Sequence, residues 1–199
     1  VHKLILEGLF GKTKKVTSTK DLIKKKTLSS IAIRCLVLKY NKQECKEVFE
    51  MSYQEEIDFF VSHPQRNKYI CNLVKGLTGN TLVLFQYIEK HGNILHSILK
   101  DIIDPTRKIF FVYGGTDADS REKVRELVEG EQNAIICASY GVYSTGVNIR
   151  NIHNIVFASP SKSRIRNLQS IGRGLRKSET KEAATLYDIS DDLTHSERK

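Results

Sequence analysis

The sequence predicts a doubly wound α/β domain, a parallel sheet with helices on both faces. Three observations carry this. Short apolar runs alternate with amphipathic stretches from Tyr53 to Asp188. The runs are near-continuous in Val, Ile, Leu and Phe, as in strands covered on both sides. Several end in Gly, Ser or Thr, at the place where open α/β sheets bind their ligands.

Taken in order, Leu4–Phe10 reads as a short helix. Ser29–Tyr40 (SSIAIRCLVLKY) is strand-like and follows the basic clusters Lys14-Lys15 and Lys24-Lys25-Lys26. Tyr53–Val61 and Pro64–Leu77 read as helices. Thr81–Tyr87 is an apolar strand opened by Gly79-Asn80, and its Phe85 reads as core. Ile94–Ile103 is an amphipathic helix closed by Asp104-Pro105, because the residue before proline is pushed out of the helical region. Lys108–Tyr113 is a strand ending at Gly114-Gly115-Thr116. Asp119–Glu129 is a helix, with Asp117 or Asp119 as its N-cap. Ala134–Ala138 and Asn154–Ala158 are strands, Ser163–Leu175 a helix and Ala183–Asp188 a strand. The polar, acidic end after Asp188 is expected to fray.

Composition sets the partners. The 199 residues are 40% hydrophobic, enough for one core, and contain no apolar run of membrane-spanning length. Nor do residues 1–15 have a signal-peptide pattern, which favours the cytoplasm. Cys35, Cys45, Cys71 and Cys137 form no C-x-x-C, so no metal site and no disulfide framework is expected, and buried free thiols are the better reading. Net charge is +9, which favours a polyanionic partner. The first 50 residues carry most of it, and a second concentration runs from Lys162 and Arg164 to Lys177 without an acid.

The chemistry concentrates in Gln169-Ser170-Ile171-Gly172-Arg173-Gly174-Leu175-Arg176. On a helix, Gln169, Arg173 and Arg176 fall at i, i+4 and i+7 on one face. Guanidinium is a planar fork of donors that suits phosphate oxygens and stays charged at any working pH. A solvated basic helix end is the plain alternative. After Ala134–Ala138, the run Ser139 to Ile149 offers small hydroxyl residues and glycines to a phosphate. Gly114-Gly115-Thr116 could let a nucleic-acid backbone approach closely, or be a tight turn only. Gly8-Leu9-Phe10-Gly11-Lys12-Thr13 contains G-K-T, but a P-loop would need glycine at Leu6 and a strand before it, so this reads as a turn after a helix. There is no acidic quartet to hold magnesium. The chain thus has arginines for a γ-phosphate and nothing to hold the rest of a nucleotide.

In this order, Ser139…Ser144-Thr145-Gly146-Val147-Asn148-Ile149 followed by Gln169-x-x-Gly172-Arg173-x-x-Arg176 resembles motifs V and VI of superfamily-two DNA helicases. Thr81–Tyr87 falls where motif IV lies, and Val112–Gly115 where the next conserved loop lies. The resemblance covers about Tyr53–Asp188. Gly8–Gly11 and Tyr53–Glu56 are similar to the family's turns leaving the first lobe and entering the second. It implies a RecA-like second motor lobe over residues 51–199, and a remnant of the first lobe plus connector over residues 1–50. It implies that Arg173 and Arg176 reach ATP held with Mg by the missing N-terminal lobe, with Gln169 linking the site to the motor and Gly146 and Asn148 facing the nucleotide. The family often has Asp at the position of Asn148. Gly115, Thr116 and Ser139 match positions that touch DNA backbone, and Lys162 and Arg164 add basic contacts. The members it most resembles act on branched DNA and R-loops in recombination, repair and replication; phages carry such enzymes, which would place the protein in the bacterial host's cytoplasm. Two other readings stand beside this one. One is a non-catalytic RecA-like module that grips nucleic acid; the other is the motor lobe of a DNA translocase or restriction subunit.

Overall fold

The computed structural model describes residues 2–12, 18–25, 29–145, 149, 151–160 and 183–193. Six strands form one sheet in the order β1-β6-β5-β2-β4-β3, and every adjacent pair is parallel. The strands are β1 (Ser30–Lys39), β2 (Thr81–Phe85), β3 (Ile109–Val112), β4 (Ile135–Ser139), β5 (Asn154–Phe157) and β6 (Ala183–Asp192). The doubly wound α/β fold expected from the sequence is what the chain adopts.

Each central strand sends alternate residues to opposite faces. Leu82, Leu84, Ile136, Ala138, Ile155 and Phe157 enter one core cluster; Val83, Phe85, Ile135, Cys137, Val156 and Ala158 enter the other. Both faces are therefore buried, which is why these strands read as unbroken apolar runs. Helices α5 (Pro64–Gly76) and α6 (Asn93–Ile102) cover the second cluster with Ile70, Val74, Leu95 and Leu99. On the first, α7 (Ala118–Gly130) and α8 (Tyr140–Thr145) contribute Val128, Tyr140 and Val142.

Helix starts follow local chemistry. Asp117 caps α7, its carboxylate accepting Ser120 N–H at 2.8 Å, which decides between the two candidate caps. Helices α3 (Lys42–Phe49) and α4 (Tyr53–Ser62) open with reciprocal capping boxes, Asn41 with Glu44 and Ser52 with Glu55. The remaining helices, α1 (His2–Phe10) and α2 (Thr19–Lys24), precede the sheet. Gly11 follows α1, so the G-K-T segment begins as a turn after a short helix.

Four expectations need correction. The sheet starts at Ser30, inside the stretch read as remnant and connector, because β1 pairs with β6 over ten residues. Its edge position hid it: Ile33 and Val37 are each 57% exposed, so the strand lacks a two-sided burial pattern. The strand does not stop at Asp188: β6 runs to Asp192, and Asp191 is held by Arg66. A π-helical turn, Ile88–Gly92, precedes α6, so helical backbone begins six residues before Ile94. Among the four cysteines, Cys35 is exposed, whereas Cys45, Cys71 and Cys137 are buried free thiols.

No helix among the described residues is long and apolar enough to cross a membrane.

Candidate functional site

Because all six strands run the same way, their C-terminal ends share one edge. Ser139 ends β4 directly beside Phe85, the last residue of β2. Val112 pairs with Ala138, so the turn after β3 stands next to Ser139. Of the residues read as a site, the structure brings Gly115, Thr116 and Ser139 together on this edge.

The turn is locally determined. Thr116 N–H donates to Tyr113 O at 2.9 Å, and Tyr113 N–H donates to Thr116 Oγ1 at 3.1 Å. A Cβ on Gly115 would lie 2.7 Å from Tyr113 Cε2, so glycine lets the ring fold over the turn. Gly114 and Gly115 are exposed, with backbone open to a close ligand. Ser139 is 7% exposed and passes straight into α8.

Gly146, Asn148, Lys162, Arg164, Gln169, Arg173 and Arg176 lie outside the described residues. What flanks them is well placed. Val142 and Ile149, on either side of residues 146–148, both belong to the first core cluster. Residues 161–182 leave from Pro160, past the C-terminal end of β5, and return at Ala183, the start of β6.

Sequence reading missed a buried polar network beneath this edge. Arg66, 2% exposed, forms a bidentate pair with Asp191 through Nε (2.8 Å) and Nη2 (3.0 Å), and its Nη1 donates to Ala158 O at 2.8 Å. Tyr40 donates its hydroxyl to Asp191 Oδ1 at 2.6 Å; burial first, and then this bond, hold the phenol well above its usual range. Asn67, His91 and Ser159 form a second chain of contacts nearby. Arg66 and Asn67 continue the face of α5 that buries Ile70, Cys71 and Val74. That i, i+4, i+8 continuation from Arg66 to Ile70 and Val74 was the one available signal, since a charge on an apolar stripe demands a buried partner.

At the opposite edge of the sheet Asn80, fully buried, accepts Ala134 N–H at 2.8 Å and donates to Glu131 O at 2.6 Å. It pins the starts of β2 and β4.

A parallel six-stranded sheet with helices on both faces is the RecA-like fold of helicase C-terminal lobes. The helicase conserved C-terminal domain matches residues 65–178, and the chain belongs to that family. It is similar to the ATP-dependent DNA helicase UvsW of Enterobacteria phage T4, with 34% identity over 187 residues, 92% of this chain and 36% of the relative. The crystal structure of T4 UvsW superposes with a TM-score of 0.72 at 34% identity, covering 87% of this chain and 36% of that one. A DEAD-box protein of the hyperthermophile Methanococcus jannaschii shares the fold at TM-score 0.53 and 22% identity, covering 66% of this chain and 34% of that one. So does the DNA-bound type ISP restriction-modification enzyme LlaBIII, at 0.63 and 15%, covering 97% of this chain and 14% of that one. The chain therefore spans about a third of the length of UvsW, 36%.

Proposed function

We propose that this chain is the C-terminal motor lobe of an ATP-dependent DNA helicase acting on branched DNA or R-loops in recombination, repair and replication. One observation carries the reading. In a chain of the helicase family, the RecA-like sheet sets Gly115, Thr116 and Ser139 on one strand-end edge, and Gln169-x-x-Gly172-Arg173-x-x-Arg176 falls between β5 and β6 of that sheet.

In this reading Arg173 and Arg176 meet the γ-phosphate of ATP held with Mg by an N-terminal lobe of the same protein. Arginines supplied across a cleft stabilise charge developing on the transferred phosphoryl group. Gly146 and Asn148 face the nucleotide; Asn148 contributes an amide hydrogen bond rather than a charge. Gln169 links that site to the rest of the motor. Gly115, Thr116, Ser139, Lys162 and Arg164 hold the DNA backbone, which carries no sequence information, so the substrate is chosen by its structure. Closure and opening of the two lobes then move one backbone grip relative to the other. Of the stretch 1–50 read as first-lobe remnant and connector, the part before β1 at Ser30 keeps that reading, and the protein works in the cytoplasm, that of a bacterial host if the gene is a phage's.

Steady-state phosphate release with a synthetic three-way junction tests this. The full-length protein is expected to turn over ATP with DNA stimulation, and the 199-residue chain alone to release no more phosphate than buffer. DNA-stimulated turnover by the chain alone, surviving Arg176→Ala, contradicts the two-lobe reading; so does a full-length protein without turnover. Binding of the chain to duplex DNA should weaken at least about tenfold between roughly 50 and 200 mM salt, because phosphate contacts release counterions. An affinity indifferent to salt, or one that discriminates scrambled duplexes, counts against backbone recognition.

A further inference from the structure

The strand ends that carry the proposed site are tied together by a hydrogen-bonded chain centred on His91, which is fully buried. Its Nε2 lies 3.1 Å from Asn67 Oδ1, and its Nδ1 lies 2.8 Å from Ser159 Oγ. Asn67 donates its amide Nδ2–H to Val61 O at 2.9 Å, so its oxygen faces the ring and accepts Nε2–H. Nδ1 is then bare and accepts the Ser159 O–H. Ser159 Oγ in turn accepts Gln86 N–H at 2.9 Å. The imidazole stays neutral, since burial and then the Arg66 charge push its pKa down to about 3.

The π-helical turn delivers the ring. Gly92 N–H bonds Tyr87 O at 2.8 Å, the i→i−5 pattern, and a Cβ on Gly92 would sit 2.6 Å from Phe85 Cε2. Such turns mark places where a helix is re-aimed for a purpose. Hydroxyl, imidazole and amide in sequence suggest a hydrolytic triad, but the site is sealed. Ser159 is 2% exposed, and its oxygen already holds the Gln86 amide.

Position gives the role. Gln86 is the first residue past β2, on the edge shared with Gly115, Thr116 and Ser139. Ser159 is the second past β5, and one residue later the chain leads into the segment bearing Gln169, Arg173 and Arg176. Tyr140, which opens α8 after Ser139, donates its hydroxyl to Ser159 O at 3.3 Å.

We propose that His91 is a positioning residue: through Ser159 it locks the loop after β2 to the loop after β5, so that DNA engaged at one alters ATP turnover through the other. This rests on the helicase reading above. A fully satisfied buried network is stiff and shifts as a unit. Removing the Ser159 hydroxyl breaks its bonds to the Gln86 amide and the His91 ring and lets the two loops move independently.

The test uses the full-length protein and the synthetic three-way junction. Ser159→Ala is expected to lower DNA-stimulated kcat about tenfold, within the range of coupling between sites, while unstimulated kcat stays within about twofold. Ser159→Thr, which keeps the hydroxyl, should restore most of the stimulation. A role in stability alone would lower Tm and leave the ratio of stimulated to unstimulated turnover unchanged, and that result overturns the proposal. Hydrogen exchange on the wild type, which needs no variant to fold, gives a second reading. Adding the junction should slow exchange at residues 84–88 and 157–160 together; protection confined to one loop overturns the proposal as well. Wild-type protein without any DNA-stimulated turnover refutes the helicase reading instead, and the exchange measurement still decides whether the loops move as one.

Discussion

Replacing Arg176 by alanine in the full-length protein is expected to lower ATP turnover by about a thousandfold or more, because an arginine finger acts on charge that develops in the transition state. Folding and DNA affinity should be largely retained, since the change removes neither core nor backbone-gripping groups. Arg176→Lys should rescue little: ammonium is a point charge and cannot reproduce a bidentate fork on phosphate oxygens. Arg173→Ala should behave like Arg176→Ala. If both arginines act on one phosphate, the double variant should fall far short of the product of the single effects. A solvated surface arginine makes the opposite forecast, with stability changed by less than about 0.5 kcal/mol and turnover intact. The measurement is kcat at saturating DNA for all four variants, beside thermal melts. Near-normal kcat in Arg176→Ala would refute the assignment of this motif.

The central sheet was legible because its physics is local. Strands β2 to β5 are short, flanked by turn residues and apolar on both faces, so composition alone marks them. Their ends, and with them Gly115, Thr116 and Ser139, followed from the rule that ligands meet parallel sheets at the C-terminal edge. What stayed hidden depends on long-range pairing. Asp191 and Asp192 read as a solvated tail, yet Asp191 lies 2.8 Å from a guanidinium 125 residues away in sequence. Strand β1 has one neighbour and an exposed face, so nothing in its run says which sheet it joins. Helix α3 is short and half charged, with Lys42, Glu44, Lys46 and Glu47 among its residues, and the Asn41 and Glu44 capping box announces it. Asn67, His91 and Ser159 are single polar residues in three separate elements, and no local pattern brings them together.

The largest stability effect should come from Asp191→Ala. Arg66 and Asp191 have side chains 0% and 4% exposed, and the carboxylate answers the guanidinium with two parallel bonds of 2.8 and 3.0 Å. Without Asp191 the cation loses its paired carboxylate and keeps Ala158 O at 2.8 Å, and arginine cannot shed its proton to escape. Breaking a buried pair from one side costs about 3–5 kcal/mol, since it leaves an uncompensated charge in the core. For a domain of this size that corresponds to a fall in Tm of roughly 10 °C. Tyr40→Phe, which removes only a hydroxyl donated to the same carboxylate, should cost about 1 kcal/mol. The double change Arg66→Met with Asp191→Leu separates two ways in which the pair could matter. If its worth is only that neither charge is left alone, apolar groups of similar volume should recover most of the lost stability. If instead the pair sets where β6 and the Ala158 loop lie, stability should return while DNA-stimulated turnover stays low, because Arg66 also holds that loop through its carbonyl. Thermal melts of the four proteins decide the first point, and an Asp191→Ala melt within about 2 °C of wild type would show that the pair does not carry the core as its burial implies.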